Sequence, residues 1–145
     1  MFRMLSTIFG IVLLLAACGE NMQTATLKTP PSAPPPPTRM WMVFFDTNST
    51  TLSQQANMTV SAAAAIAKSG PTRVEVSGFT DTEGNVAYNQ ALSVRRAAAV
   101  RDALARNGVA PQSIRILGEG EQGLLVPTAD QVRYPSNRRV QIVVQ

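Results

Sequence analysis

Six stretches between Trp41 and Val144 carry a regular hydrophobic pattern, and each predicts an element. Trp41-Met42-Val43-Phe44-Phe45 is apolar on both faces, as a strand inside a sheet must be. Asp46-Thr47-Asn48-Ser49 ends it. From Thr51 to Ser69, Leu52, Ala56, Val60, Ala63 and Ala67 recur at helical spacing, and Gly70-Pro71 stops the helix. Arg73 to Ser77 alternates apolar and polar, the period of a half-buried strand. Gly78-Phe79 leads into a polar turn. A second helix runs from about Asn85 to Asn107, with Leu92, Ala97, Val100 and Leu104 on its core face and Asn107-Gly108 at its cap. Ser113 to Leu117 alternates again, and Arg139 to Val144 is the last strand. The connection from Gly118 to Asn137 is too long to be structureless in a compact domain unless it is functional or partly ordered. The order β-α-β-α-β-β predicts an α+β sandwich with both helices on one face of a mixed sheet. Phe79 and Tyr88 are expected in the core. Met40, Met42 and Met58 are expected as packing residues, and Glu119 and Glu121 as solvated loop residues.

The chain ahead of this domain has a different character. Met1-Phe2-Arg3 is a short positive start, Leu5 to Leu15 is apolar, and Ala16-Ala17 are small. That is the pattern of a secretory signal peptide over residues 1–17, and its apolar stretch is short of the roughly 20 residues a spanning helix needs. Leu15-Ala16-Ala17-Cys18 resembles a bacterial lipobox, which implies acylation of Cys18 and a mature chain beginning there. Gly19, in place of an aspartate, makes the outer membrane, periplasmic side, the implied address. Residues 18–39 then form a tether, polar at first and rich in proline from Pro30 to Pro37. Such a segment favours polyproline II and reaches roughly 60 Å when extended. Residues 40–145 are the expected folded domain.

Composition narrows the chemistry. The chain has no histidine, which removes Ser-His-Asp and Cys-His catalysis and the commonest zinc ligand. A single cysteine forms no internal disulfide. The net charge of +4 comes from basic residues scattered along the chain rather than gathered in a run. It fits equally an anionic polymer, a membrane surface or no partner at all, and nucleic acid is not the expected partner. No catalytic residue, metal or cofactor is expected.

The most informative stretch is Thr80 to Ala97, a turn with Asp81 and Gly84 running into the second helix. Arg96 shares the apolar stripe of Leu92 and Val100, where a guanidinium needs a partner. Two readings stand. Asp81 and Arg96 hold the two charges of a zwitterion, or Asp81 only serves the helix start and Arg96 pairs structurally with Asp81 or Glu83.

These residues also carry a family resemblance. Val43-Phe44-Phe45-Asp46-Thr47-Asn48, Val76-Ser77-Gly78-Phe79-Thr80-Asp81 with Gly84, Tyr88-Asn89, Leu92-Ser93-Val94-Arg95-Arg96-Ala97 and Asn137-Arg138-Arg139-Val140 together resemble the OmpA-like C-terminal domain, from Trp41 to Gln145. The resemblance implies non-covalent binding of peptidoglycan through the diaminopimelate of its stem peptide. Asp81 and Arg96 take the family's acidic and basic positions. Asp46, Thr47 and Asn48 take those of a pocket wall, and Asn89 and Arg138 those beside the ligand. The expected function is that of a lipoprotein linking outer membrane to cell wall, not an enzyme. The alternative is a structural adaptor in an envelope complex for secretion, motility or Tol-type assembly, with other envelope proteins as partners. The chain departs from the pattern at Phe79, where histidine is frequent, and at Arg133-Tyr134, where Gly-Arg is usual. Gln141 stands where glutamate is common.

Overall fold

The computed structural model describes residues 38–70 and 72–145. The signal peptide, Cys18 and nearly all of the tether lie outside the described residues. The elements are β1 (Arg39–Phe44), α1 (Gln54–Ala67), β2 (Val74–Phe79), α2 (Val86–Arg106), β3 (Ile114–Gly120) and β4 (Arg139–Val144), with short 3-10 turns at Pro111–Ser113 and Pro135–Asn137. The order β-α-β-α-β-β is the expected one. The sheet runs β1-β4-β2-β3. β4 is antiparallel to both neighbours, while β2 and β3 are parallel across the α2 crossover. The sheet is therefore mixed, and β1, β2 and β3 all point the same way.

Alternation along the strands sends Val43, Val74, Val76, Val140, Ile142 and Val144 to one face, where they meet Val60, Ala63 and Ala67 of α1 and Ala97, Val100 and Leu104 of α2 in a single core. α1 starts after Ser53, whose hydroxyl accepts from Ala56 N–H at 3.1 Å. α2 starts after Asn85, whose side chain accepts from Ala87 and Tyr88 N–H. α2 lies close on the sheet because Gly78 has no side chain: a Cβ there would sit 2.1 Å from the Ser93 carbonyl oxygen.

Several side chains differ from expectation. Met40 and Met58 are 57% and 59% exposed, and Tyr88 is 46% exposed with Arg95 above its ring. Leu52 precedes the helix and packs on the core from the loop. The long connection is partly ordered: β3 continues to Gly120, and Asn137 pairs through its side chain with both N–H and C=O of Val126. The Thr82 hydroxyl donates to the Ala129 carbonyl and accepts from Val132 N–H, which ties the turn after β2 to this connection. Glu121, expected in solvent, is half-buried and accepts from Asn89.

Candidate functional site

The parallel strands β1 and β2 end at the same pole, and their following loops meet the start of α2 and the segment before β4. Arg96, one helical turn along from Leu92, points into this junction and is fully buried. Its guanidinium donates to three backbone carbonyls: Nε to Ser49 at 3.0 Å, Nη1 to Phe79 at 3.0 Å and Nη2 to Asp46 at 2.9 Å. The Phe45 ring lies 5.3 Å from it. The expected need for a partner is met by the backbone, since one rigid fork can serve three carbonyls from two loops. Three of its five N–H groups are used in this way, and the side chain is out of reach of solvent. Burial pushes the Arg96 pKa down to about 10, while the Asp81 charge acts to raise it and that of Arg138 to lower it. Arg96 is therefore a cation at neutral pH.

Asp81 is also buried, and its structural partners are not Arg96 or Glu83. Its Oδ2 accepts from Arg138 Nη1 at 3.1 Å and from Tyr134 N–H at 3.1 Å. Arg138 Nε donates in turn to the Phe45 carbonyl at 3.1 Å. Glu83 pairs instead with Arg133. Asn89 is 2% exposed and donates to the Glu83 carbonyl and to Glu121 Oε1. It braces the turn carrying Asp81 from beneath.

Beside the Asp81–Arg138 pair opens a hollow of about 440 Å³, lined by Phe44, Phe45, Asp46, Thr51, Ser53, Pro135, Ser136 and Arg138. Of the predicted site residues, Asp46 and Arg138 stand on its wall. Asp81 and Arg96 stand behind that wall, each one contact away: Asp81 through Arg138, Arg96 through the Asp46 carbonyl. Thr47 and Asn48 are exposed on the adjoining loop, and Asn48 takes a φ of 52°, which asparagine tolerates better than most residues. Sequence reasoning missed Ser136, Pro135 and the Tyr134 N–H. Pro135 next to Asn137-Arg138 was the available signal, since it fixes the turn that aims Arg138.

Phe79 takes no part in the hollow through its ring. The ring lies on the other face of the sheet, stacked 3.9 Å from the Arg139 guanidinium. Only its carbonyl reaches the site, as the acceptor for Arg96. Among the described residues there is no group of three or more acidic, histidine or cysteine side chains placed to hold a metal.

Fold and site together define a small α+β domain with Asp46, Asp81, Arg96 and Arg138 gathered at one end. The model of the OmpA family matches residues 44–138, most of the described chain, and the chain belongs to that family. It is 42% identical over 110 residues to an outer membrane protein of Gluconacetobacter diazotrophicus, covering 71% of this chain and 29% of that one. The crystal structure of the peptidoglycan-associated lipoprotein from Burkholderia pseudomallei superposes with a TM-score of 0.66 at 31% identity, covering 72% of this chain and 89% of that one. The C-terminal domain of Helicobacter pylori MotB has the same fold, with a TM-score of 0.64 at 23% identity over 72% of this chain and 83% of that one. Among the curated relatives, the matched part spans as little as 23% of one and as much as 60% of others.

Proposed function

We propose that this chain binds peptidoglycan non-covalently at the hollow beside Asp81 and Arg138, and that it does so from the outer membrane, held there by acylated Cys18. The observation that carries the reading is the charge set at the hollow. Asp46 and Arg138 line the hollow, Asp81 and Arg96 back its wall, and the space is large enough for the end of one amino acid. The free end of diaminopimelate bears an ammonium and a carboxylate on one carbon. An Arg fork matches the carboxylate, and a carboxylate at the rim accepts from the ammonium. The likeness to a peptidoglycan-associated lipoprotein supports the same reading. Charge-assisted hydrogen bonds contribute roughly 1.5–3 kcal/mol each, so a few of them hold one stem peptide at about micromolar to millimolar affinity. A binding role of this kind requires no bond making or breaking. The fold shared with MotB also suits an adaptor in an envelope complex, but that likeness concerns the fold alone.

The test is co-sedimentation with purified sacculi, together with calorimetry on a diaminopimelate peptide. Arg138→Gln and Asp46→Asn should each weaken binding about tenfold or more, given the strength of a charge-assisted bond. Unaltered melting temperatures would assign that loss to the site. Wild-type sedimentation by both variants would refute the assignment.

A further inference from the structure

The pole opposite the hollow has its own character. β1, β2 and β3 run in one direction, so their first residues share an end. The register places Arg39 across from Val144, Val144 across from Val74, and Val74 across from Ile114. Arg73 and Arg115 lie within one residue of that row. Both helices finish at the same end, α1 followed by Lys68 and α2 closing on Arg106. Lys68 lies over Gly108, the residue just beyond α2, with its Cδ 3.3 Å from where a Cβ would stand. Two hollows adjoin here and share Thr72 and Ser113; Arg73 and Arg115 line one and Lys68 lines the other.

Of the five exposed cations Arg39, Lys68, Arg73, Arg106 and Arg115, four stand at this end, while Arg106 lines a separate hollow with Thr50, Leu52, Asn57 and Asp102 beside the start of α1. Among the described residues none of the five is in an ion pair. The nearby negative groups are the half-buried Glu75, beside Arg73 and Arg115, and Asp102, which shares a hollow with Arg106. The acidic residues Asp46, Asp81, Glu83, Glu119 and Glu121 lie at the other pole, after the ends of β1, β2 and β3 or within the last turns of β3. That pole also holds Arg96, Arg133, Arg138 and Arg139, so its charges nearly balance, whereas the end at Arg39 is net positive. The chain enters this end at Arg39, on the edge strand β1.

We infer that this basic pole is a docking surface for anionic phospholipid headgroups. A polymer chain tethered at Arg39 presents that end first to whatever surface holds its N-terminal part. Exposed arginines and lysines gain from a negative surface only within about a Debye length, roughly 8 Å at physiological ionic strength. Four of them at one end therefore act as an orienting device rather than an anchor. Docking would turn the hollow lined by Asp46 and Arg138 away from the lipid. The inference rests on the membrane attachment proposed above and not on what the hollow binds.

Trp41 is the only tryptophan and lies two residues into β1, beside this pole, which supplies the readout. The full chain is mixed with vesicles of phosphatidylcholine alone, or with about a third phosphatidylglycerol, each carrying a headgroup nitroxide that quenches indole. Quenching should be at least about twofold stronger on the anionic vesicles at low salt. It should fall to the neutral level near 0.5 M salt, where the Debye length has shrunk to a few ångström. Lys68→Glu with Arg115→Glu, both at exposed positions, should abolish the difference between lipids without changing the melting temperature. Glu83→Gln at the far pole should leave it intact. Equal quenching on the two lipids overturns the inference. So does a difference that survives the double reversal, or a double reversal that weakens sedimentation with sacculi and leaves lipid quenching unchanged.

Discussion

Two arginines one face apart show how differently a buried guanidinium can be used. Arg96 donates to the carbonyls of Asp46, Ser49 and Phe79, all of which would lose a partner on truncation. Arg96→Leu should cost about 3 kcal/mol in denaturant unfolding, because orphaned buried carbonyls outweigh the relief of a buried charge. Arg95→Leu, on the exposed face, should stay within about 0.5 kcal/mol of wild type. The pH dependence follows from the Arg96 pKa of about 10, below the usual arginine range because of burial. Between that value and the normal one the unfolded chain binds more protons, so this group lets stability rise as pH climbs past about 10. Arg96→Leu should lack that alkaline component in melts taken from pH 9 to 11. Arg139 is the contrasting case. It is 3% exposed, its Nη2 donates to Gly123, and its Nε and Nη1 have no partner. Desolvation holds its pKa down, with only the Phe79 ring beside it as compensation. Arg139→Met keeps the stack at the ring and removes two unpaired donors, so its stability should lie within about 1 kcal/mol of wild type. A loss comparable to that of Arg96→Leu would show that the Gly123 contact matters more than the geometry suggests.

At the scale of elements, the packing of α2 on β2 and β3 is set by glycines. Gly78→Ala puts a methyl group 2.1 Å from a backbone oxygen of Ser93, and neither backbone can yield alone. A loss of about 3 kcal/mol or outright misfolding is expected, read by urea midpoint. Gly70 has nothing within 4 Å of the same construction, so Gly70→Ala should be neutral or gain up to about 1 kcal/mol through the unfolded chain. These elements were legible because period and punctuation agreed: alternation in β2, β3 and β4, the Ala-Val stripe of α1, and Asn107-Gly108 after α2. The connection from Gly118 to Asn137 was not legible. Its order comes from single side chains reaching across some 50 positions, such as Thr82 to Ala129 and Gln131 to Gly84, and no local period reports such bonds. The site divided in the same way. The motif located Asp81 and Arg96, but the partner of Asp81 is Arg138, 57 positions away. Pairing of that kind is fixed only when the loop before β4 closes. Tyr88 was misread because it shares an angular sector with Leu92, yet it falls in the first turn of α2, beyond the reach of the sheet.

For the whole molecule, the proposed weak recognition at the hollow and the proposed attachment through Cys18 have separable consequences. A single stem peptide held at about micromolar to millimolar affinity is released quickly, so lasting contact with the wall requires the domain to stay near it. Acyl chains on Cys18, at about 0.8 kcal/mol per buried CH₂ and more than one chain, would keep it there and make rebinding effectively intramolecular. The two contributions are distinguished by Cys18→Ser, which removes the acylation site and leaves every residue from Thr38 onward unchanged. In cell fractionation this variant should move from the membrane to the soluble fraction. In sacculi pull-downs at high protein concentration it should bind like wild type, because the hollow is intact. In cells, where the membrane lies beside the wall, its wall occupancy should fall by roughly a hundredfold, the scale of a lost effective concentration. Arg138→Gln should give the reverse: unchanged membrane fractionation with lowered sedimentation at every concentration. A Cys18→Ser protein that remains in the membrane fraction would mean that something other than acylation holds the chain there. A Cys18→Ser protein that loses sacculus binding at high concentration would mean that the described domain is not sufficient to grip the wall.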